Sequence, residues 1–277
     1  MLLPPTQAAR SIPTRALPTP APTLLPPPEM VAPAAVAPIL TPAVTAALPP
    51  GTLLVGYSVE GRPILARQLG SGPRALLLVG GIHGGWEGNT VTLINQLIAY
   101  FEANPDAILP DLSLVLVPVA NPDGLLRGRT AAGRFNTNGV DLNRNWGCEW
   151  SPDARWRDQA VDAGPEPFSE PETRALAEFI QRIRPATVLF YHSAADGIFA
   201  GECGGDHGSQ RMSQILGQAT GYSYGQAFSA YKVTGTAASW VDGLGIPAAD
   251  VELLSWDDSE FDRNLAGVLA LQQWLSG

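Results

Sequence analysis

The sequence predicts an α/β domain over residues 51–277, with a mixed, largely parallel central sheet and helices on both faces. Two observations carry this. Strand-like apolar runs at Ala75–Val79, Leu112–Val119, Thr187–Tyr191 and Ala248–Leu254 alternate with helix-like segments at Thr90–Glu102, Glu170–Arg182, Ser209–Thr220 and Phe261–Leu275. Alternation of this kind implies βαβ units and a parallel core sheet. The segment is also long enough to bury one substantial core as a single domain. The first run, Ala75 to Val79, reads as a buried strand. The helix at Glu170 opens with Ser169-Glu170-Pro171-Glu172, the pattern of a capping box with proline in the first turn. The helix at Ser209 begins just after a glycine cluster (Gly204, Gly205, Gly208). No internal repeat is present.

The organisation changes near Pro49-Pro50-Gly51. Before it, proline recurs every few residues, as in Pro18, Pro20, Pro22 and Pro26-Pro27-Pro28, mixed with Ala, Thr and Leu. That density is incompatible with helix interiors and sheet centres, so residues 1–50 are expected to form an extended tail or linker. Met1-Leu2-Leu3 lacks a basic start and prolines interrupt any apolar core, so no cleaved signal is evident. The tail nevertheless resembles spacers that tether extracellular domains, and an extracytoplasmic or secreted location is expected.

Composition narrows the function. Lys plus Arg total 17 and Asp plus Glu 26, a formal net charge of -9. No Lys/Arg run exists, which argues against a nucleic-acid partner. No apolar run approaches the roughly 20 residues of a membrane span. A monomer is expected.

Histidine is scarce, with three in the chain, and placed informatively. His83 lies in Gly80-Gly81-Ile82-His83-Gly84-Gly85-Trp86-Glu87, just past the first strand, with Glu87 four residues on. His192 ends the Thr187–Tyr191 run and precedes Ser193. Sites in such sheets gather at the carboxyl ends of strands, and His83, Asn121, His192 and Glu252 all fall there. Two imidazoles and a carboxylate with a fourth position open suit catalytic zinc. His207, in a Gly-rich stretch, reads as an ordinary loop residue. A second informative region runs from Asn121-Pro122-Asp123-Gly124 to Gly139-Val140-Asp141-Leu142-Asn143-Arg144-Asn145-Trp146, where Asn143 and Arg144 stand ready to grip a carboxylate.

Together these stretches resemble the zinc carboxypeptidase family, small bacterial type, and the likeness extends over almost everything after Gly51. The resemblance implies a metallocarboxypeptidase with one zinc ion held by His83, Glu87 and His192. It implies that Asp141 orients a zinc-bound histidine and that Asn143 and Arg144 hold a terminal carboxylate. It further implies that Arg134, with Arg129 as competitor, polarises the scissile carbonyl and that Tyr231 closes over the substrate. Glu252 is the expected general base and acid, and Asp250, of the same side-chain parity, is its rival. The family separates its first His and Glu by two residues; this chain has three, and two adjacent glycines can absorb the extra one. Ala238, seven residues after Tyr231, matches a pocket position where an acid would select basic residues, so no preference for Lys or Arg is expected. Glu202, next to Cys203, is a competing determinant of the same pocket. Cys148 and Cys203 both lie downstream of site residues and are expected to form a disulfide beside the substrate pocket, which would fit export; free thiols would fit the cytosol. Peptides, with peptidoglycan fragments favoured, are the expected substrates. Two other readings stay open: an N-acyl amino acid deacylase resembling aspartoacylases and succinylglutamate desuccinylases, and a binding module that has lost its zinc.

Overall fold

The computed structural model describes residues 48–277. The expected Pro-rich tail, residues 1–50, lies outside the described residues apart from its last three. The strands are β1 (Thr52–Tyr57), β2 (Pro63–Leu69), β3 (Arg74–Val79), β4 (Leu112–Val117), β5 (Arg155–Trp156), β6 (Gln159–Ala160), β7 (Thr187–Ser193), β8 (Gly197–Ala200) and β9 (Ala248–Leu253). The helices are α1 (Gly88–Ala103), α2 (Pro122–Leu126), α3 (Ala131–Arg134), α4 (Pro171–Ile183), α5 (Ser209–Thr220), α6 (Ala237–Asp242) and α7 (Phe261–Ser276). All four expected strands and all four expected long helices are present.

Seven strands form one sheet in the order β1-β2-β4-β3-β7-β9-β8. The four central strands, β4, β3, β7 and β9, pair in parallel, and the outer ones pair antiparallel. The central strands are apolar at successive positions because both faces are covered. Leu77, Val79, Val188 and Phe190 face a core shared with Leu176, Phe179 and Ile180 of α4 and Ala237 and Val241 of α6. Leu76, Leu78, Leu189 and Val251 face the opposite core, with Leu93, Leu97 and Phe101 of α1, Met212 and Leu216 of α5, and Val268 and Leu271 of α7.

Two expectations need amendment. The β1–β2 hairpin is absent from the sequence reading because its strands mix Thr, Gly, Arg and Gln with apolar residues, as a partly solvated edge allows. At Gly56 a Cβ would fall 2.3 Å from that of Ala175, so glycine lets α4 lie flat on this edge. The capping box is not formed. Glu170, not Ser169, is the N-cap of α4 and makes no side-chain cap bond. The carboxylates have other partners: Glu170 accepts from Asn136 and Asn138, and Glu172 accepts from Asn136 and the Val59 amide. Pro171 does occupy the first helical turn.

Cys148 and Cys203, 55 positions apart in sequence, are joined in a disulfide with Cα atoms 6.1 Å apart. It ties the segment after Arg144 to the loop after β8. Closing a loop of that length removes about 4 kcal/mol of denatured-state freedom in the chain-entropy picture. A Cys148→Ser/Cys203→Ser variant is therefore expected to lose about 2–5 kcal/mol of stability in urea unfolding. An unchanged midpoint would show that the bridge constrains nothing.

Candidate metal centre and substrate cleft

Side-chain parity delivers the site. Along β7, Val188 and Phe190 enter the α4/α6-side core, and His192 continues that row at the strand's end. Beside it on β9, Ala249, Val251 and Leu253 are buried on the opposite face, so Asp250 and Glu252 share the His192 face. The register sets His192 directly opposite Glu252.

His83 arrives differently. Just past β3 the chain enters a single 3₁₀ turn, Gly84–Glu87, with His83 at its N-cap. This turn absorbs the extra residue between the first two ligands and brings His83 Nδ1 to 2.8 Å from Glu87 Oε1. Its glycines are required by close packing. Gly84 has φ +47°, and a Cβ on Gly85 would sit 2.6 Å from Gly128.

Three donors now converge. His192 Nδ1 lies 3.3 Å from His83 Nδ1 and 3.2 Å from Glu87 Oε2. All three side chains are buried. Tetrahedral zinc with bonds of about 2.0–2.1 Å spaces its ligand atoms about 3.3 Å apart, so this donor set fits one zinc ion. Each residue's acid–base state is shifted accordingly. Burial opposes ionisation of Glu87, but His83 and His192 overcome it and hold the carboxyl below its usual range. Burial likewise opposes the imidazolium of His192, yet Asp250 and Glu87 hold it well above the usual histidine range.

A fully buried carboxylate stands behind the metal ligands. Asp141 Oδ1 lies 3.1 Å from His83 Nε2 and accepts the Asn143 amide, while Oδ2 accepts two bonds from the Arg134 guanidinium at 2.8 and 3.1 Å. Burial would raise its pKa, but Arg134, and after it His83, keep it well below the normal carboxylate range. Arg134 is buried and also lies 3.6 Å from Glu87. Its rival Arg129 is on the surface, paired with Asp257.

The cleft is lined by the metal ligands together with Arg134, Asn143, Arg144, Tyr231, Asp250 and Glu252. Asn143 lines the cleft: its oxygen accepts the Ala237 amide at 2.9 Å, and its Nδ2, which carries two N–H groups, lies 3.3 Å from His192 Nε2. Arg144 is buried, held by the carbonyls of Asn143 and Arg155, and no described carboxylate pairs with it. Glu252 Oε2 is buried with no hydrogen-bond partner. Burial, reinforced by Glu87 and Asp250 against the opposing pull of His192, pushes the Glu252 pKa up to about 7. Tyr231 packs on Phe228 with ring centroids 4.9 Å apart, and burial raises its phenol pKa.

Ala238 is buried on α6 and lines an adjoining cavity, not the cleft itself. That cavity shares Phe199, Phe228, Val233, Thr236 and Asp250 with the cleft and adds Glu149 and Glu202, with no Lys or Arg in its lining. Asn121 does not line the cleft; it caps α2 by accepting the Gly124 amide. His207 pairs with buried Asp242 at 2.9 Å, away from the metal centre, as its loop reading implies. Trp156 went unpredicted. The β5–β6 hairpin lays its indole 4.6 Å from the Arg134 guanidinium and supplies the Arg155 carbonyl to Arg144. A two-residue strand has no periodicity by which a sequence could announce it.

The family model described as zinc carboxypeptidase matches residues 51–255. The chain belongs to the zinc carboxypeptidase family. It is 30% identical over 246 residues to murein peptide amidase A of Escherichia coli (strain K12), covering 84% of this chain and 93% of that protein. It is also 30% identical to zinc carboxypeptidase A 1 of Anopheles gambiae, over 72% of this chain and 52% of the other. Among solved structures, murein-tripeptide amidase MpaA from Escherichia coli O157 superposes with a TM-score of 0.61 at 27% identity, covering 83% and 94% of the two chains. Bovine thrombin-activatable fibrinolysis inhibitor superposes with a TM-score of 0.70 at 19% identity, over 81% and 90%, and shows the shared fold. The protein is thus a zinc metallopeptidase-family hydrolase with its His/Glu/His ligand set intact. Membership lies with the peptidases and not with the deacylase alternative, and the complete ligand set answers the reading of a module that lost its zinc. Among the described residues, no helix is long and apolar enough to cross a membrane.

The charge on His192 has a measurable consequence. Zinc binds neutral imidazole, so it must displace the proton that Asp250 and Glu87 hold on His192. Apparent zinc affinity, measured with chelator-buffered metal, is expected to rise with pH by up to about tenfold per unit across roughly pH 6 to 8. A flat profile would contradict a protonated His192.

Proposed function

We propose that this chain is a zinc-dependent carboxypeptidase-type enzyme that hydrolyses the bond before a residue with a free carboxylate, acting on peptidoglycan-derived peptides. The observation that carries the carboxylate requirement is Arg144. A buried guanidinium without an acidic partner is expensive unless a ligand supplies the anion. Arg144, beside Asn143 in the cleft lining, receives the substrate carboxylate with the N–H groups that the Arg155 and Asn143 carbonyls leave free.

Zinc, when bound, polarises the scissile carbonyl and acidifies water. Glu252 takes the proton from the attacking water and returns it to the leaving nitrogen. Its unpartnered oxygen and its pKa near neutrality suit both transfers. Arg134 is braced by Asp141 and donates to the carbonyl oxygen as negative charge develops there. Tyr231 and Phe228 pack on each other in the cleft wall, where Tyr231 would close over a bound substrate.

The substrate class rests on two supports. The relative named murein peptide amidase A covers nearly its whole length with this chain. The cavity beside the cleft is floored by small, neutral Ala238 but walled by Glu149, Glu202 and Asp250. Ala238 alone predicts indifference to Lys or Arg; the neighbouring acids favour an amine-bearing residue such as diaminopimelate or lysine. A disulfide is consistent with an oxidising, extracytoplasmic setting.

The test uses zinc-loaded protein and matched peptides ending in diaminopimelate, Lys, Leu and Phe, each with an amidated control. The free-acid peptides are expected to be cleaved, the amine-bearing ones fastest, and the amidated ones spared. Arg144→Ala should lower kcat/KM on free acids by about 30-fold or more, and Glu252→Gln should lower kcat by about a hundredfold or more with zinc content unchanged. Equal cleavage of amidated controls would overturn the exopeptidase reading.

A further inference from the structure

A zinc-bound histidine uses one ring nitrogen for the metal, so its other nitrogen carries a proton and needs an acceptor. In His83, Nδ1 faces the metal position and Nε2 faces Asp141 Oδ1 at 3.1 Å. In His192, Nδ1 also faces the metal position, so Nε2 carries the proton. Two groups lie beside it. Asn143 Nδ2, at 3.3 Å, is itself a donor, because the Asn143 oxygen is fixed by the Ala237 amide. Asp250 Oδ1, at 3.2 Å, is an acceptor, and it is buried with no hydrogen-bond partner of its own. One donor and one acceptor, each without another partner, stand side by side.

We propose that Asp250 is a positioning residue for the metal centre: its Oδ1 accepts the Nε2–H of His192 and so fixes the tautomer and ring orientation that present Nδ1 to zinc. Each metal-binding imidazole is then backed by its own aspartate, His83 by Asp141 and His192 by Asp250. The two differ in kind. Asp141 is fully buried and braced by Arg134, whereas the Asp250 side chain is 18% exposed and also borders the adjoining cavity. The strand register explains how this is possible. Asp250 lies two residues before Glu252 on the same face of β9, one step inward from the position opposite His192. Glu252 faces the reacting groups, and Asp250 faces the back of the imidazole. This assigns separate roles to the two carboxylates that compete in the sequence.

The test measures zinc affinity and imidazole tautomer, not turnover. Metal-free wild type, Asp250→Asn and Asp250→Ala are titrated with zinc against a competing chelator. Histidine ring nitrogens are followed by NMR in ¹⁵N-labelled, zinc-loaded protein. Asp250→Ala is expected to bind zinc about 10–100-fold more weakly and to lose the hydrogen-bonded Nε2–H signal of His192, while the signal of His83 stays. Asp250→Asn keeps a carbonyl acceptor at the same place, so it should retain that signal and fall between the other two in affinity; it also carries the test if the alanine variant does not fold. Wild-type affinity with an unmoved His192 signal in either variant that folds would overturn the proposal. So would equal weakening by Asn and Ala with the signal lost in both, which would mean that charge alone acts. Neither readout needs a substrate, so a failure here is separable from a failure of the carboxypeptidase reading.

Discussion

A carboxylate with no access to water is tolerable only if every lone-pair direction is used, and Asp141 is the group on which this site depends. Its two oxygens receive or face His83, the Asn143 amide and two N–H groups of Arg134. One residue thereby fixes three parts of the site at once: the first metal ligand, the cation next to the scissile bond, and the turn that carries Asn143 and Arg144. Replacing one partner would leave a buried charge uncompensated, which costs several kcal/mol in typical cases. The turn Leu142–Arg144 is itself capped by the Asp141 side chain, so local geometry and catalytic geometry share one anchor.

The sheet supplies the complementary half. Parallel strands end together, and β3, β7 and β9 release His83, His192 and Glu252 at the same edge. Alternation on β9 then does the sorting: Ala249, Val251 and Leu253 hold the strand in one core, leaving Asp250 and Glu252 to face the site.

Much of this was legible in the sequence because it depends on local pattern. Apolar runs announced the four central strands, and scarcity of histidine singled out His83 and His192. What the sequence did not contain was determined by tertiary partners. The 3₁₀ turn that reconciles His83 with Glu87 depends on Gly85 packing against Gly128, a contact between distant segments. Ser169 and Glu172 carry a capping pattern, but Glu172 is recruited by Val59 and Asn136 instead. Asn143 reads as a substrate ligand from its neighbour Arg144, but its contacts with the Ala237 amide and His192 join segments far apart in sequence and leave no local pattern. Asp250 and Glu252 are indistinguishable by parity, and only the fold sets Asp250 Oδ1 3.2 Å from His192 Nε2. Trp156 sits on a strand too short to show periodicity.

The central claim is that both imidazoles meet the metal through Nδ1, with their Nε2 atoms turned back to aspartates. A crystal of the zinc-loaded protein, with data collected on both sides of the zinc absorption edge, tests it most directly. The account predicts one anomalous peak within about 2.0–2.2 Å of His83 Nδ1, His192 Nδ1 and a Glu87 oxygen. A peak bonded through Nε2 of either histidine, or one that leaves Glu87 uncoordinated, would contradict it.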